Sequence, residues 1–132
     1  MRLEIVTPEK RILDAEVDSV TVPTASGEAG ILPSHAPMVS AVKPGVLAYT
    51  IKGSTDRIAV AAGFVEINSD KVSVLVDAAE TAGEIDGDLA RAEKDAADRA
   101  LTDVSLSSTE DLTGKREAAE HAAARFEVAA GR

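Results

Sequence analysis

The sequence contains no cysteine, no tryptophan and only two histidines. Without cysteine there is no disulfide, no thiolate nucleophile and no zinc–thiolate site. The histidines, His35 and His121, fall on different predicted elements and do not suggest a shared catalytic centre. A nucleophile elbow of the G-x-S-x-G type and a phosphate-binding G-x-x-x-x-G-K-[ST] loop are also missing. We therefore expect a chain that is not an enzyme by itself and that requires no metal or cofactor.

Long apolar runs and clusters of positive charge are scarce as well. No segment approaches the roughly 18 consecutive apolar residues of a membrane-spanning helix, and the first residues, MRLEIVTPEKR, lack the apolar stretch of a secretory signal. The formal net charge is -9, and no basic cluster is interleaved with aromatic residues. We therefore expect no nucleic-acid partner, and we expect any membrane association to depend on a partner protein.

Residues 1–81 consist of short runs rich in Val and Ile, separated by Gly, Pro, Asp and Asn. This pattern is typical of a β-sandwich or β-barrel. Asn68–Asp70 predict the turn of an antiparallel hairpin. Gly63, where the apolar alternation shifts by one residue, indicates a β-bulge. The predicted strands are Leu3–Val6, Ile12–Ala15, Val17–Val22, Met38–Val42, Val46–Ile51, an alternating stretch from Ile58 to Phe64, and Val72–Val76.

After Thr81 proline disappears, alanine becomes frequent and the apolar period becomes helical. A first helix is predicted over residues 88–101. A second helix is predicted to open with a capping box of Ser107 and Glu110 and to end near Gly131. The predicted apolar faces are Leu89, Ala92, Ala96 and Ala100 on the first helix, and Leu112, Ala119, Ala122, Ala123 and Phe126 on the second.

Together the two halves predict an α+β fold with segregated parts. An N-terminal antiparallel β-sandwich, residues 1–83, is followed by a C-terminal antiparallel helical hairpin, residues 84–132, with a hinge near Ala82–Gly87. The apolar side of the hairpin is mostly alanine, and a buried methyl group stabilises far less than the roughly 1.5–3 kcal/mol of a buried leucine or phenylalanine. Gly114 inside the second helix costs about 1 kcal/mol relative to alanine. We therefore expect a firm sandwich that carries a weakly held, detachable arm.

The segment 27–37, GEAGILPSHAP, places two glycines and two prolines around His35. Gly27 and Gly30 suit turns that require positive φ, and the prolines fix φ on either side of the histidine. These residues predict a rigid surface loop with a defined shape. The segment VKPGVL follows at residues 42–47.

These two segments closely resemble the signature of the ATP synthase epsilon subunits, a family whose mitochondrial members are called delta. Residues 3–24, LEIVTPEKRILDAEVDSVTVPT, residues 61–67, AAGFVEI, and the step into an alanine-rich hairpin occur in that family in the same order. The resemblance spans nearly the whole chain. It implies a non-catalytic rotor subunit of a proton-translocating F-type ATP synthase. Such a subunit is clamped between the gamma subunit and the ring of c subunits, so that proton flow is coupled to ATP synthesis.

The resemblance also implies roles for two residues and a location. Glu28 is a candidate contact to the c ring, and His35 is a candidate residue of the rotor interface with gamma and the c ring. From the residues alone, a histidine bonded to nearby backbone groups and a solvated turn glutamate stay open as alternatives. The implied location is peripheral, on the cytoplasmic face of a bacterial plasma membrane and reached only through the complex. An organelle membrane is the alternative.

In this family the helical arm lies folded on the sandwich or extends beside gamma into the catalytic head. There it meets the alpha and beta subunits transiently and obstructs ATP hydrolysis. Such a switch requires two states of similar free energy, which suits an alanine-rich contact. Basic residues near the end of the arm are expected to meet acidic surface on the beta subunits. This segment is slightly acidic, which argues against strong inhibition. From residue 110 onward the bases are Lys115, Arg116, Arg125 and Arg132, and the acids are Glu110, Asp111, Glu117, Glu120 and Glu127.

Some members of the family bind ATP on the folded hairpin through a motif of Ile or Leu, Asp, two further residues, Arg and Ala. Here Asp88–Ala92, DLARA, matches that motif from the aspartate onward. Gly87 stands where the motif has Ile or Leu, and Ile85–Asp86 comes two residues too early. The match is therefore degenerate.

The resemblance implies ATP as a regulatory ligand of this hairpin. Arg91 would grip phosphate as a charged fork, helped by Arg116 or Arg125 from the second helix. The alternative is a local ion pair of Asp88 and Arg91 at the start of the first helix.

A different function also fits the composition. A stand-alone β-sandwich adaptor that binds another partner through the same loop is the alternative to a rotor subunit. The order of sandwich, loop and helical arm favours the rotor subunit.

Overall fold

The computed structural model describes residues 1–102 and 109–130, with the side chains of 1–100 and 116–130. Within these residues ten strands are followed by a 3₁₀ turn and two α-helices. The strands are β1 (Arg2–Val6), β2 (Arg11–Glu16), β3 (Ser19–Thr24), β4 (Gly27–Ile31), β5 (Met38–Val42), β6 (Gly45–Ile51), β7 (Ser54–Val60), β8 (Gly63–Asn68), β9 (Lys71–Val76) and β10 (Ala79–Thr81). The turn is Ala82–Glu84, and the helices are α1 (Gly87–Thr102) and α2 (Thr109–Ala130).

The strands form two sheets that meet at a corner. The first sheet has the order β10-β7-β6-β3-β4, and the second has the order β5-β8-β9-β1-β2. A single residue pair, Thr24 with Val42, joins β3 to β5 at the corner. The chain therefore forms the predicted β-sandwich, closed along one side.

One pair of neighbouring strands departs from the predicted antiparallel arrangement. β1 runs antiparallel to β2 but parallel to β9, with Arg2 opposite Lys71 and Val6 opposite Leu75. The other strand pairs of the described residues are antiparallel. A parallel pair needs a long connection, and the strands between β1 and β9 provide it.

The core between the sheets consists almost entirely of Val, Ile and Leu. Val72, Val74 and Val76 face this core, as their alternation predicted. The hairpin turn at Asn68–Asp70 is also confirmed, with Ser69 at a φ of 56°. The buried side chains of the core are Leu3, Ile5, Val17, Val20, Val22, Ile31, Val42, Leu47, Ile58, Val60, Val65, Ile67, Val72, Val74, Val76 and Ala79.

The stretch from Ile58 to Phe64 is two strands, so the prediction of one continuous strand was wrong. β7 ends at Val60, β8 begins at Gly63, and the two strands belong to different sheets. Ile58 is buried, whereas Phe64 is 60% exposed. The alternation shifts at Gly63 because the chain changes sheets there; Gly63 keeps a regular partner on each neighbouring strand and is not a bulge.

Both helices lie close to their predicted positions, but α1 turns a different face inward. Leu89, Ala92 and Ala96 are exposed, whereas Ala90 is fully buried. A helix rich in alanine has methyl groups on several faces, so the apolar period alone does not select one. The smaller Ala90 permits a close approach that Leu89 would prevent. The predicted capping box of Ser107 and Glu110 lies outside the described residues.

The hairpin folds back on the outer face of the first sheet. A second apolar cluster holds it there, and four of its six buried members are alanine, as expected: Ala59, Ile85, Ala90, Ala124, Val128 and Ala129. The predicted face of α2 is confirmed at Ala119 and Ala122, which are buried, and Ala123 and Phe126 are half-buried. The side chain of Leu112 lies outside the described part of the chain.

None of the helices in the described ranges is long and apolar enough to span a lipid bilayer. The 3₁₀ turn of Ala82–Glu84 lies at the predicted junction of sandwich and hairpin. The division after residue 83 stays a prediction.

Candidate functional site

An apolar surface crosses the outer face of the second sheet. Phe64 stands opposite Ala41 on β5 and Leu75 on β9, and Leu75 stands opposite Val6 on β1. Val39 lies two residues before Ala41 on the same face of β5 and is 69% exposed. We call these five residues the outer patch. Exposed apolar side chains that adjoin one another in this way are typical of interaction sites.

Sequence reasoning missed the outer patch because the predicted strand from Ile58 to Phe64 put Phe64 on the same apolar face as Ile58. The strand alternation places Val65 and Ile67 in the core, which turns Phe64 outward. The usable signal was the shift of parity after Gly63. An aromatic side chain on the solvent side of a strand, in a chain with only two phenylalanines, would then have indicated an interface.

The same sheet face is charged beyond the outer patch. Arg2 Nε lies 2.7 Å from Asp14 Oδ1, and this ion pair holds the pKa of Asp14 below its usual value. Glu4 Oε2 lies 3.5 Å from Arg11 Nη2, and Glu4 Oε1 lies 3.9 Å from Lys71 Nζ. A partner that covers the outer patch therefore meets both positive and negative side chains at the edge of the patch.

The predicted loop is part strand and part irregular segment. Gly27 has a φ of 114° and closes the turn between β3 and β4, where the Thr24 hydroxyl donates to the Gly27 carbonyl at 2.6 Å. Gly30 lies within β4 without positive φ, so that part of the prediction was wrong. Ser34 in the same segment also has a positive φ, of 70°.

Glu28 and His35 lie in different parts of this segment. Glu28 is exposed on β4 opposite Pro23. His35 is half-buried; its Nδ1 lies 2.7 Å from the Ala36 carbonyl oxygen, and its backbone N–H donates to the Leu32 carbonyl at 3.2 Å. The local hydrogen bonding that was left open for His35 is thus present. No hydrogen bond or ion pair joins Glu28 to His35, both of which the structure describes.

The junction between sandwich and hairpin is organised by Glu84. Its Oε1 accepts hydrogen bonds from the backbone N–H and the hydroxyl of Thr81, at 3.1 and 3.0 Å. The bonds from Thr81 lower the pKa of Glu84. Asp86 then caps α1 by accepting from the backbone N–H groups of Asp88 and Leu89, at 3.0 and 3.1 Å.

Arg125 on α2 connects the sandwich with both helices. Its Nε and Nη2 donate to the two carboxylate oxygens of Glu80 on β10, at 2.8 and 3.3 Å. Its Nη1 donates to Glu93 on α1. Sequence reasoning singled out Arg125 but neither glutamate, since no local pattern relates residues so far apart in the chain.

The other residues predicted for ATP binding do not converge on Arg125. Asp88 and Arg91 are exposed on α1 and form no ion pair with each other, so the local pair considered as an alternative is absent. Arg116 is exposed on α2 and borders a groove of about 640 Å³ whose sandwich side includes Phe64 and Leu75. Glu80 and Glu93, which bind Arg125, form no ion pair with Arg91 or Arg116 among the described side chains.

A second groove, of about 400 Å³, separates α2 from the start of β4, where Glu28 lies. Lys43 lines it from the sandwich, and Glu120 and Glu127 line it from α2. Glu28 therefore faces the same space as the folded hairpin. The described residues contain no group of three or more side chains suited to hold a metal ion.

These features are those of a small β-sandwich protein with one exposed apolar sheet face and a helical hairpin folded on the other sheet. Residues 1–82 match the family model of the ATP synthase delta/epsilon chain, β-sandwich domain. The chain therefore belongs to the delta/epsilon chain family of ATP synthases.

Relatives and solved structures agree with this assignment. The chain is 43% identical over 132 residues to the ATP synthase epsilon chain of Geotalea uraniireducens (strain Rf4), covering 98% of this chain and 94% of the relative. It is 43% identical over 100 residues to the epsilon chain of Desulfitobacterium hafniense (strain Y51), covering 76% of each. A chain in the cryo-EM structure of the Euglena gracilis mitochondrial ATP synthase, OSCP/F1/c-ring, matches with a TM-score of 0.78 at 25% identity, covering 98% of this chain and 80% of that one.

Proposed function

We propose that this chain is a central-stalk rotor subunit of a proton-translocating F-type ATP synthase. It links gamma to the c ring, couples proton flow to ATP synthesis and has no catalytic role. It is held at the cytoplasmic face of a bacterial plasma membrane through the complex. The observation that carries the proposal is the outer patch: a chain of this family that exposes such a surface is built to be covered by a partner.

Gamma is the partner we assign to the outer patch. Exposed aromatic and aliphatic side chains on a flat sheet supply the apolar centre of an interface, and the ion pairs around Asp14 and Glu4 supply a charged margin that fixes orientation. The c ring is assigned to the segment that follows β3, where Glu28 and Leu32 are both exposed and His35 is held by its local hydrogen bonds. The chain then has one surface for each of the two partners.

The helical hairpin is the regulatory part in this proposal. Its alanine-rich contact with the first sheet permits release, after which it extends towards the alpha and beta subunits and obstructs ATP hydrolysis. The acidic balance of α2 limits how strongly it binds acidic surface there.

The rate of ATP hydrolysis by the cognate alpha, beta and gamma assembly tests both the rotor assignment and the inhibitory role of the arm. It is measured without this chain, with the full chain, and with a chain ended after Gly83 whose fold is checked by circular dichroism. We expect the full chain to lower the rate and the shortened chain to bind equally without lowering it, because only the arm reaches the catalytic head. If neither chain binds, the rotor assignment is wrong; if both bind without effect, the inhibitory role is wrong.

ATP as a regulatory ligand stays a prediction. Arg125 is already engaged by Glu80 and Glu93, so a triphosphate held by Arg125 must displace those carboxylates. The hypothesis requires calorimetry of the full chain to show heat release at millimolar ATP. Arg91→Ala must reduce this heat, whereas Arg57→Ala, a change of an exposed arginine on β7, must not. No heat from the parent chain would contradict nucleotide binding.

A further inference from the structure

The hairpin is joined to the sandwich by one ionic contact of good geometry. Arg125 binds both carboxylate oxygens of Glu80 in a two-pronged arrangement, and its side chain is only 15% exposed. Within the described residues, this is the only ion pair between either α-helix and a strand. Charge-assisted pairs of this kind are stronger than neutral hydrogen bonds, and shielding from water makes them stronger still.

The apolar contacts around Arg125 are weak, so this ion pair supplies a large share of the free energy that holds the hairpin on the sandwich. Next to Arg125 the hairpin is held by Ala124, Val128 and Ala129, whose side chains are small. Each alanine removes little apolar surface from water, so the packing alone gives only a modest preference for the folded arm. A single ionic contact can then decide the balance between two arrangements.

We propose that Arg125 and Glu80 form a latch that keeps the arm folded, and that Glu93 holds Arg125 in position. Glu80 lies on β10 and stays with the sandwich, whereas Glu93 lies on α1 and moves with the hairpin. The arm can therefore leave with the Arg125–Glu93 pair intact, but it cannot leave without breaking the pair with Glu80. This inference rests on the proposed regulatory role of the arm and names the contact that controls it.

The latch predicts that a change in the sandwich, and not in the arm, increases the extended population of the arm. If the arm only binds acidic surface in the catalytic head, Arg125 strengthens inhibition and Glu80 is irrelevant. If the latch holds, Glu80→Gln removes a charge from the sandwich, leaves every side chain of the arm unchanged and still increases the extended population. Loss of one partly buried charge-assisted pair corresponds to about a tenfold change in that population.

The arm is followed directly in the isolated full chain. Because the sequence has no cysteine, single cysteines at Ser26 and Ala118, both exposed, can carry spin labels without further changes. Pulsed EPR then measures the distance between the sandwich turn and α2. We expect one short distance in the parent, and an added longer distance in Glu80→Gln and in the parent at high salt. Glu9→Gln, a change of an exposed acid outside the latch, should retain the parent distance.

Arg125→Lys provides a second variant that retains the charge but loses the two-pronged geometry. It should give a long-distance population between those of the parent and Glu80→Gln. If Glu80→Gln retains the parent distance at low and high salt while its melting temperature is unchanged, the latch is wrong. That result would not depend on the hydrolysis assay, which tests the rotor and inhibitor roles separately.

Discussion

Replacing Phe64 with aspartate should prevent the chain from binding gamma and leave the sandwich folded. Phe64 is 60% exposed on the outer patch, so its loss removes little from the core. In a complex, the aspartate would be buried without a partner against apolar surface, which is unfavourable for a charge. Truncation of a central interface residue commonly costs about 2 kcal/mol or more, so affinity should fall by at least about 30-fold. Calorimetric titration with the cognate gamma subunit measures the effect.

The chain offers a matched control for this change. Leu89 on α1 is 53% exposed and belongs to the helical hairpin, outside the outer patch. Leu89→Asp introduces the same charge at a similarly exposed apolar position and should leave affinity for gamma within a factor of about two. Equal losses in both variants, or none in either, would remove the outer patch from the gamma interface.

Replacing Gly63 with alanine should destabilise the sandwich more than any surface change. A Cβ atom at this position would lie 2.0 Å from the Leu75 carbonyl oxygen and 2.7 Å from Val76 Cα. These are backbone atoms of β9, which cannot turn away as a side chain could. β8 and β9 must separate locally, which should cost about 3 kcal/mol. For a protein of this size the melting temperature should fall by roughly 15 °C, measured by thermal unfolding.

Gly83→Ala controls for the effect of changing a glycine to alanine where the added Cβ atom has room. Gly83 has no positive φ, and a Cβ atom added there would meet no heavy atom within 4 Å. The unfolding free energy should stay within about 0.5 kcal/mol of the parent. If Gly63→Ala melts at the same temperature as Gly83→Ala, β8 and β9 do not approach as closely as described.

Most of the sandwich could be predicted because its strands repeat every second residue. Val72, Val74 and Val76 have one buried face, so their period defines both the element and its orientation. Between Ile58 and Phe64 the chain passes from one sheet to the other with little interruption. An apolar alternation shows that a segment is a strand, but it does not show which sheet the strand belongs to. The alternation located the change correctly at Gly63 but suggested the wrong cause.

The candidate sites were less accessible to sequence reasoning. Glu28 and His35 were singled out through the family resemblance of the segment that carries them, and their roles stay predictions. The contact of Arg125 with Glu80 and Glu93 joins three elements and leaves no local pattern. The face of α1 was misassigned because alanine contributes so little that tertiary contacts decide which side is buried. Contacts between distant segments depend on the fold and appear only with it.

The parallel pairing of β1 with β9 has a consequence for the order in which the protein is made. Residues near Arg2 leave the ribosome well before their partners near Lys71, which follow only after most of the sandwich has been synthesised. Until then the β1–β2 hairpin has no neighbour on one side and exposes Leu3 and Ile5 to water. Pairing across such a long separation is slow to form. The nascent chain therefore passes through a stage in which one edge of β1 is unpaired and prone to association. The second sheet is completed only when β9 has been synthesised.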